Sequence, residues 1–390
     1  MKKRVLIRAP LLSYSGYGTH ARQVFRWLLT QQNVELRTAI VPWGMTPWMI
    51  NPDFENGLIK EIMARSINDS DKNHPYDLSI QLQLPNEWDS NVANINVGIS
   101  AFVETDQCNP AWIDCCNRMS KVIVPSEFIA GVIKNSGDCT VPLDVVPECF
   151  YDEIIDENIP EFSLDLNTSF NFLVFGQFTG NNPENDRKNL FNTLKILCET
   201  FGDDPDVGII LKTNSGRNTT IDKAITEKTI AQLIKEVRKG EFPKVHLLHG
   251  SLNARQVAGL YRNSTIKALV TLTRGEGFGL PILEAAASGL PILATNWSAH
   301  LDFLKKGRFI PINYTLQDIP KSRKDGEIFI DGAKWAEPSI EDAKTKLAKF
   351  RKSHFVPQKW ANDLREKLIP LYSQRAINTH YDKALGEYLK

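Results

Sequence analysis

Short apolar runs alternate with helical patterns along this chain, and the alternation happens twice. The first half reads "RVLIRAPLL", "HARQVFRWLLT", "VELRTAIV", "DLSIQLQL", "INVGISAFV", "PAWIDCCNRM", "KVIVPS", "EFIAGVIKNSG" and "LDVVP" in order. Strands separated by helices are carried back to the same edge each time, so they form parallel sheets with helices on both faces. Residues 151–169, "YDEIIDENIPEFSLDLNTS", are acidic and aperiodic and read as a linker. A second series follows: "FNFLVFGQF", "KNLFNTLKILCETF", "VGIILKTN", "EKTIAQLIKEVRKG", "KVHLLHG", "NARQVAGLYRNS", "IKALVTLT", "LPILEAAASGL" and "PILATN". From about residue 338 the chain is helical and basic, with Pro357 and Pro370 as breaks. At 390 residues it exceeds what one core supports. The expectation is an α/β protein with two doubly wound parallel-sheet domains, 1–165 and 166–355, and a helical segment 356–390. Ligands of such sheets bind in a cleft beyond the strands' carboxyl ends.

Composition narrows the class. Hydrophobic residues make up 42% and charged residues 24%, the balance of a globular protein. No apolar run approaches the roughly 18 residues that a membrane span needs. Lys2-Lys3-Arg4 could open a signal peptide, but Arg8 stops Val5-Leu6-Ile7 at once, so a cytoplasmic protein is expected. Cysteines 108, 115, 116, 139, 149 and 198 form no C-x-x-C pair and read as buried free thiols, with no metal site. The net charge of zero hides a split: residues 1–165 hold 13 Lys and Arg against 22 Asp and Glu, a net of −9, and the remainder balances it at +9. The basic half is the better host for a polyanionic ligand.

"YSGYGTHARQV" sets Gly16, Gly18 and Ala21 in the G-x-G-x-x-A spelling of a dinucleotide-binding turn. Two features depart from that use. Eight residues, Arg8 to Ser15, separate Ile7 from Gly16, and the nearest acid, Glu35, falls at the start of the second strand instead of its end. Three readings stay open: an NAD site, a purely structural turn, and a loop whose amides face a phosphate or sugar at a helix N-terminus.

Residues 274–295, "RGEGFGLPILEAAASGLPILAT", carry more. The strand "ALVTLT" runs into a turn holding Gly275, Gly277 and Gly279, and a helix is expected from about Pro281, where proline suits a first turn. Glycines admit close backbone approach, and a helix N-terminus offers N–H groups and a positive dipole end. Glu276 falls in the turn and Glu284 is expected in the first helical turn. Carboxylates there suit the vicinal hydroxyls of a ribose or hexose.

"EGFGLPILEAAASGLPILAT" resembles the signature of family-4-type retaining glycosyltransferases, the glycosyl transferases group 1. "VIVPSEFIAGVIKNSG", "VVPECFYDE", "FLVFGQFTGNNPENDRKNL" and "VHLLHGSLNARQVAGLYRNS" resemble further segments of that family. The resemblance implies the GT-B fold: two facing Rossmann-like domains, an acceptor-side first and a donor-side second, with terminal helices packing back on the first. It implies a nucleotide-sugar donor, a UDP- or GDP-sugar, with no obligatory metal or cofactor. Glu276 would contact the sugar hydroxyls, the amides of Gly277, Phe278, Gly279 and Leu280 the sugar and phosphate, and Glu284 the ribose. Lys188 of "DRKN" would neutralise the diphosphate, and Gly250 and Ser251 would border the base. Gly16, Tyr17, Gly18, Gly176, Gln177 and Lys212 complete the expected donor-binding set.

The chain departs from that pattern twice. Where the family commonly has Gly-Arg it has Gly176-Gln177, and Arg187 is the expected substitute for the missing cation. Where many members have a His, "GISAFVETDQCNPAW" places Glu104, Thr105 and Asp106. Glu104 and Asp106 are candidates to align or deprotonate the acceptor hydroxyl; the alternative is that Asp106 caps a helix and Glu104 is solvated. Glu276, Lys188, Arg187 and Glu104 are the expected catalytic residues, with the Gly16–Gly18 amides helping to hold the departing phosphate. Other readings are a GT-B sugar-nucleotide epimerase, a non-catalytic nucleotide-sugar binder and an NAD oxidoreductase. The acidic first half favours a neutral glycan or small polar acceptor over DNA, including modified bases, or a lipid. Trp360, Tyr372, Tyr381 and Tyr388 of the tail are expected to pack.

Overall fold

In the computed structural model, which describes residues 2–214 and 216–390, the chain divides into two units. Unit 1 comprises Met1–Cys149, Gly326–Ile330 and Tyr372–Lys390. Its strands are β1 (Lys3–Ala9), β2 (Val34–Ile40), β3 (Tyr76–Leu82), β4 (Ala93–Ile99), β5 (Lys121–Val124) and β6 (Leu143–Val145). Its first four helices are α1 (Gly16–Leu29), α2 (Leu58–Ala64), α3 (Pro110–Asn117) and α4 (Glu127–Ser136). The strands form one parallel sheet in the order β2-β1-β3-β4-β5-β6. Val5, Leu6 and Ile7 are all buried, which is why β1 reads as a continuous apolar run and not as an alternation. Val24, Phe25 and Leu28 bury the inner stripe of α1.

Unit 2 comprises Phe150–Asp325 and Asp331–Leu371. It holds β7 (Phe170–Phe175), β8 (Val207–Thr213), β9 (Lys244–His249), β10 (Ile266–Thr271), β11 (Ile292–Thr295), β12 (Ile310–Ile312), β13 (Tyr314–Asp318) and β14 (Lys334–Pro338). Between and after them run α5 (Leu190–Thr200), α6 (Thr220–Val237), α7 (Ala254–Tyr261), α8 (Leu280–Ala287), α9 (Leu301–Leu304), α10 (Ile340–Ser353) and α11 (Phe355–Tyr372). The first six strands make a parallel sheet, β12-β11-β10-β7-β8-β9, and β13 and β14 pair antiparallel. The segment read as a linker is mostly irregular, yet Ile154 and Ile159 are buried and Phe162 N–H donates to the Gly259 carbonyl at 3.0 Å. Pro357 lies in the first turn of α11, where a missing N–H costs least, whereas Pro370 lies inside the helix near its end and leaves the Glu366 carbonyl without its i+4 donor.

The last helix, α12 (Gln374–Leu385), belongs to unit 1, where Tyr381 is fully buried, stacks on Trp27 at 5.2 Å and meets His20 Nε2 at 2.9 Å. All six cysteines are free thiols, five of them buried.

Strand order reverses between β1 and β3 in unit 1 and between β7 and β10 in unit 2. Loops leaving the carboxyl ends of such paired strands diverge to opposite faces and open a crevice.

Candidate functional site

In unit 2 the loop after β7 is tied into a fixed shape by its own polar side chains. Buried Asp186 accepts from Thr179 N–H at 3.0 Å, Thr179 Oγ1 at 2.7 Å and Leu190 N–H at 2.7 Å. Gly180 is required, because a Cβ there would fall 2.2 Å from Asn185 Oδ1 and 2.5 Å from its backbone. Asn189 takes a left-handed conformation (φ 56°) and donates to the Leu272 carbonyl at 2.9 Å. Thus "TGNNPENDRKN" is a rigid bracket that presents Arg187 and Lys188. Lys188 Nζ reaches both carboxylate oxygens of Glu276, at 2.7 and 2.6 Å, and Arg187 lies 3.7 Å from the same carboxylate while donating to the Gly275 carbonyl at 2.6 Å.

The turn after β10 is buried throughout from Gly275 to Leu280. Gly279 sits at φ 101°, a conformation that L side chains rarely adopt, and a Cβ there would meet His300 and Ile282 at 3.3 Å. Glu276 N–H donates to Ser298 Oγ at 2.9 Å, and Ser298 itself is held at φ 86°. His300 Nε2 lies 2.7 Å from the Thr295 carbonyl, so it carries the proton and Nδ1 faces Ser298 Oγ at 3.4 Å. Burial alone would raise the Glu276 carboxyl; the Lys188 ammonium and Arg187 guanidinium overcome that and hold it below its ordinary value. It is ionised, buried and paired. Two cations to one carboxylate leave a positive excess at the switch point, which suits an anionic ligand.

Glu284 does not lie in the first helical turn. The helix starts at Leu280, which makes Glu284 its fifth residue, and the side chain points into the unit's interior with 6% exposure. Burial pushes its carboxyl up to about 8, partly opposed by a hydrogen bond with the Tyr261 hydroxyl, so it keeps its proton at neutral pH. As a neutral acid it is a hydrogen-bond donor as well as an acceptor.

Gly176, Gln177, Lys212, Gly250 and Ser251 gather at the ends of β7, β8 and β9. Gly176 N–H donates to the Lys212 carbonyl at 3.1 Å, and the Lys212 ammonium donates to the Gly250 carbonyl. Gln177 is exposed, and its amide donates to Asn214 Oδ1 at 2.7 Å. Gly250 lies at φ 95°. His249 Nε2 and Asp222 Oδ2 pair at 2.7 Å beside it.

In unit 1 the opening glycines differ from each other. A Cβ on Gly18 would fall 2.1 Å from the Ser13 carbonyl oxygen, whereas one on Gly16 would meet nothing within 4 Å. Gly18 is therefore a packing glycine, and its N–H is taken by the N-cap Ser15 Oγ at 3.0 Å, so that amide does not face a ligand phosphate. Tyr17 stacks on Trp43 at 3.9 Å, and its hydroxyl lies 2.9 Å from Ser100 Oγ and accepts from Ala101 N–H at 3.1 Å. Glu104 and Asp106 are half-buried in the loop after β4. Asp106 is not the cap of α3: Asn109 is, accepting from Ala111 N–H at 3.0 Å, because Pro110 fixes the first turn one residue later. Among the described residues no group of three or more His, Cys, Asp or Glu is placed to hold a metal ion.

Residues 226–315, which span α6 to β13 and include the glycine turn, match the family model described as Glycosyl transferases group 1. That segment is similar to the group 1 glycosyl transferases. A search of curated proteins by sequence finds no match. Among solved structures, a glycosyltransferase from Rickettsia africae has a TM-score of 0.65 at 14% identity, covering 100% of this chain and 99% of that one. Sucrose-phosphate synthase from Thermosynechococcus elongatus gives 0.64 at 14%, covering 99% of each chain. Anabaena HepE, solved with UDP and glucose, gives 0.62 at 15%, covering 99% of this chain and 100% of that one. At such identities these likenesses show the fold, which is GT-B.

Four residues that shape the candidate sites are not singled out by the motifs of the sequence. Asn189 and Ser298 work through positive φ, which no spacing announces, although Asn tolerates it better than most. Arg274 is buried and anchors the turn through Glu337 at 2.6 Å and the Asp186 carbonyl at 2.8 Å. Trp43 does have a signal: it lies in Thr38–Pro52, a run without one charged residue.

Proposed function

We propose that this transferase moves a sugar from a nucleoside-diphosphate sugar, a UDP- or GDP-sugar, to a hydroxyl acceptor, with retention at the anomeric carbon. The observation that carries the reading is the cluster of half-buried Lys188 and Arg187 on buried Glu276 at the β7/β10 switch point of unit 2. As the bond from the anomeric carbon to the β-phosphate oxygen breaks, negative charge grows on that oxygen and positive charge on the sugar. Lys188, Arg187 and the N-terminal end of α8 oppose the first, and Glu276 hydrogen-bonds the sugar hydroxyls. The acceptor oxygen bonds the anomeric carbon on the face the phosphate leaves, and its proton passes to the departing phosphate, so the protein needs no nucleophile of its own. Glu284, protonated, donates to or accepts from a ribose hydroxyl. In unit 1, Glu104 and Asp106 are assigned to the acceptor.

The test pairs binding with turnover. UDP- and GDP-sugars are screened for an increase in Tm, which a ligand of the native state causes by mass action. The stabilising sugar nucleotide is then incubated with neutral mono- and oligosaccharide acceptors. A new glycoside of unchanged anomeric configuration is the expected product. An inverted product, or isomers of the sugar nucleotide formed without any acceptor, would replace this reading.

A further inference from the structure

The antiparallel pair β13 and β14 is an arm that leaves and re-enters unit 2, while a stretch of the chain between its strands, Gly326–Ile330, belongs to unit 1. The root of the arm holds both sides of the Glu276 turn. From β14, Ala336 N–H donates to the Arg274 carbonyl at 3.0 Å, and Glu337 accepts from Arg274 Nε at 2.6 Å, directly before Gly275. From β13, the Tyr314 ring lies 6.4 Å from that of Trp297, and the next residue, Ser298, accepts from Glu276 N–H at 2.9 Å.

The tip meets the loop that carries Glu104 and Asp106. The Asn109 side-chain amide donates to the Gly326 carbonyl at 3.4 Å and the Glu327 carbonyl at 3.3 Å while its Oδ1 caps α3, and Asn86 donates to the Glu327 carboxylate. Ile328 packs against the cluster that holds Phe102, Val103, Cys108 and Trp112. Phe102 stands at φ 49°, which a bulky residue keeps only where its surroundings fix it, and its ring makes edge contacts with Trp88 and Trp112. The arm supplies part of those surroundings. Between root and tip the arm is tied: Lys324 pairs with Asp331 at 2.6 Å, and Ile319 N–H donates to the Ala333 carbonyl at 3.3 Å.

We propose that this arm is a positioning element for the transfer, through which nucleotide binding at the Glu276 turn orders the loop of Glu104 and Asp106. The assignment rests on the donor reading above and adds to it a link between the donor turn and the acceptor loop. A ligand that fixes the turn restrains Arg274 and Ser298, and through them both strands at the root. The tied neck carries that restraint to the tip, and the tip carries it to Asn109 and Phe102. Such coupling is reciprocal, so an acceptor that orders residues 100–109 strengthens donor binding by the same factor.

The test reads hydrogen exchange of the full chain with and without saturating UDP or GDP, beside their affinities by calorimetry. One variant slackens the arm by inserting Gly-Gly-Ser after Asp325 and again after Ile330. Every root and tip residue stays, and lengthening a loop costs little. In wild-type protein the nucleotide is expected to slow exchange about tenfold in both 274–280 and 100–109. The slackened chain is expected to keep the affinity within about threefold and the slowing at 274–280, and to lose the slowing at 100–109. Without nucleotide, Ile328→Ser is expected to speed exchange at 100–109 about tenfold and Ile328→Val to leave it unchanged. Wild-type protein that binds neither nucleotide removes the donor reading and this assignment with it. A nucleotide that binds without slowing 100–109, or a slowing that survives in the slackened chain, overturns the assignment and leaves the donor reading intact. Unaltered exchange at 100–109 in Ile328→Ser does the same.

Discussion

Units 1 and 2 are built on the same plan and spend it on different chemistry. Each has six parallel strands, one reversal of strand order, and a glycine-containing turn leading to a helix at the reversal. At the unit 2 reversal the turn brings together Glu276, Lys188 and Arg187, all buried or half-buried. At the unit 1 reversal it brings together Tyr17, Trp43 and Ser100, and beside them buried Arg22, paired with half-buried Glu55, is engaged with the loop's own Leu11 and Ser13 carbonyls. Ionised groups cost most to bury, so unit 2 keeps them only where pairing or a charged ligand compensates. The shared fold therefore says where to look, and the side chains say what is bound.

The sharpest way to break this contrast is to remove the charge that organises unit 2. Glu276→Gln is expected to lower kcat/KM for sugar transfer about 10³-fold, roughly 4 kcal/mol of transition-state stabilisation, while UDP or GDP still binds beside the two cations. Near-normal transfer by this variant would show that the cluster is architecture and not chemistry.

The two glycines of unit 1 test the other half. Gly18→Ala drives a Cβ into the Ser13 carbonyl 2.1 Å away and is expected to cost roughly 3 kcal/mol, whereas Gly16→Ala meets open space and is expected to stay within about 0.5 kcal/mol. Chemical denaturation separates the two, and equal effects would mean that the turn relaxes.

Glu284 sharpens the contrast by pH. Unfolded, its carboxyl ionises near the ordinary value of 4.5; folded, it keeps its proton up to about 8. Between those values the unfolded state binds fewer protons, so this group's contribution is fully present below about 4.5 and is lost as pH rises toward 8. Glu284→Gln keeps the neutral hydrogen-bonding shape and removes the ionisation. Its Tm advantage over wild type is expected to grow from pH 5 to pH 8; a constant difference would refute the raised carboxyl. The smallest effect belongs to charge away from the reversal. The exposed Lys223–Glu227 pair of α6 is expected to change stability by under about 0.5 kcal/mol on Glu227→Gln, with transfer unaffected.

Much of the architecture is legible from local pattern. The apolar runs at 3–9, 76–82, 170–175 and 207–213 become buried strands because parallel strands hide both faces, and "EGFGLP" becomes a turn into a helix because glycine and proline act on their own backbone. Misreadings cluster where a neighbour decides. Asp106 and Asn109 are both acceptable caps, and Pro110 selects Asn109. Gly18 looks like a phosphate glycine until Ser15 takes its N–H and Ser13 occupies the space beside it. Glu284 is expected in the first helical turn, and the helix, which starts at Leu280, makes it the fifth residue, buried against Tyr261.

By itself the sequence determined two α/β units, the glycine turn at 274–280 and the family that the second unit's segment resembles. Those depend on periodicity and on backbone freedom, which neighbouring residues in the chain settle among themselves. Only the tertiary structure decided which cations meet which carboxylate. Lys188 reaches Glu276 across 88 positions of chain because β7 and β10 are adjacent in the sheet. Among the described residues Lys212 meets the Gly250 carbonyl and no carboxylate. Burial gives both arrangements their weight, because in a low dielectric a charge interacts more strongly with whatever partner it meets.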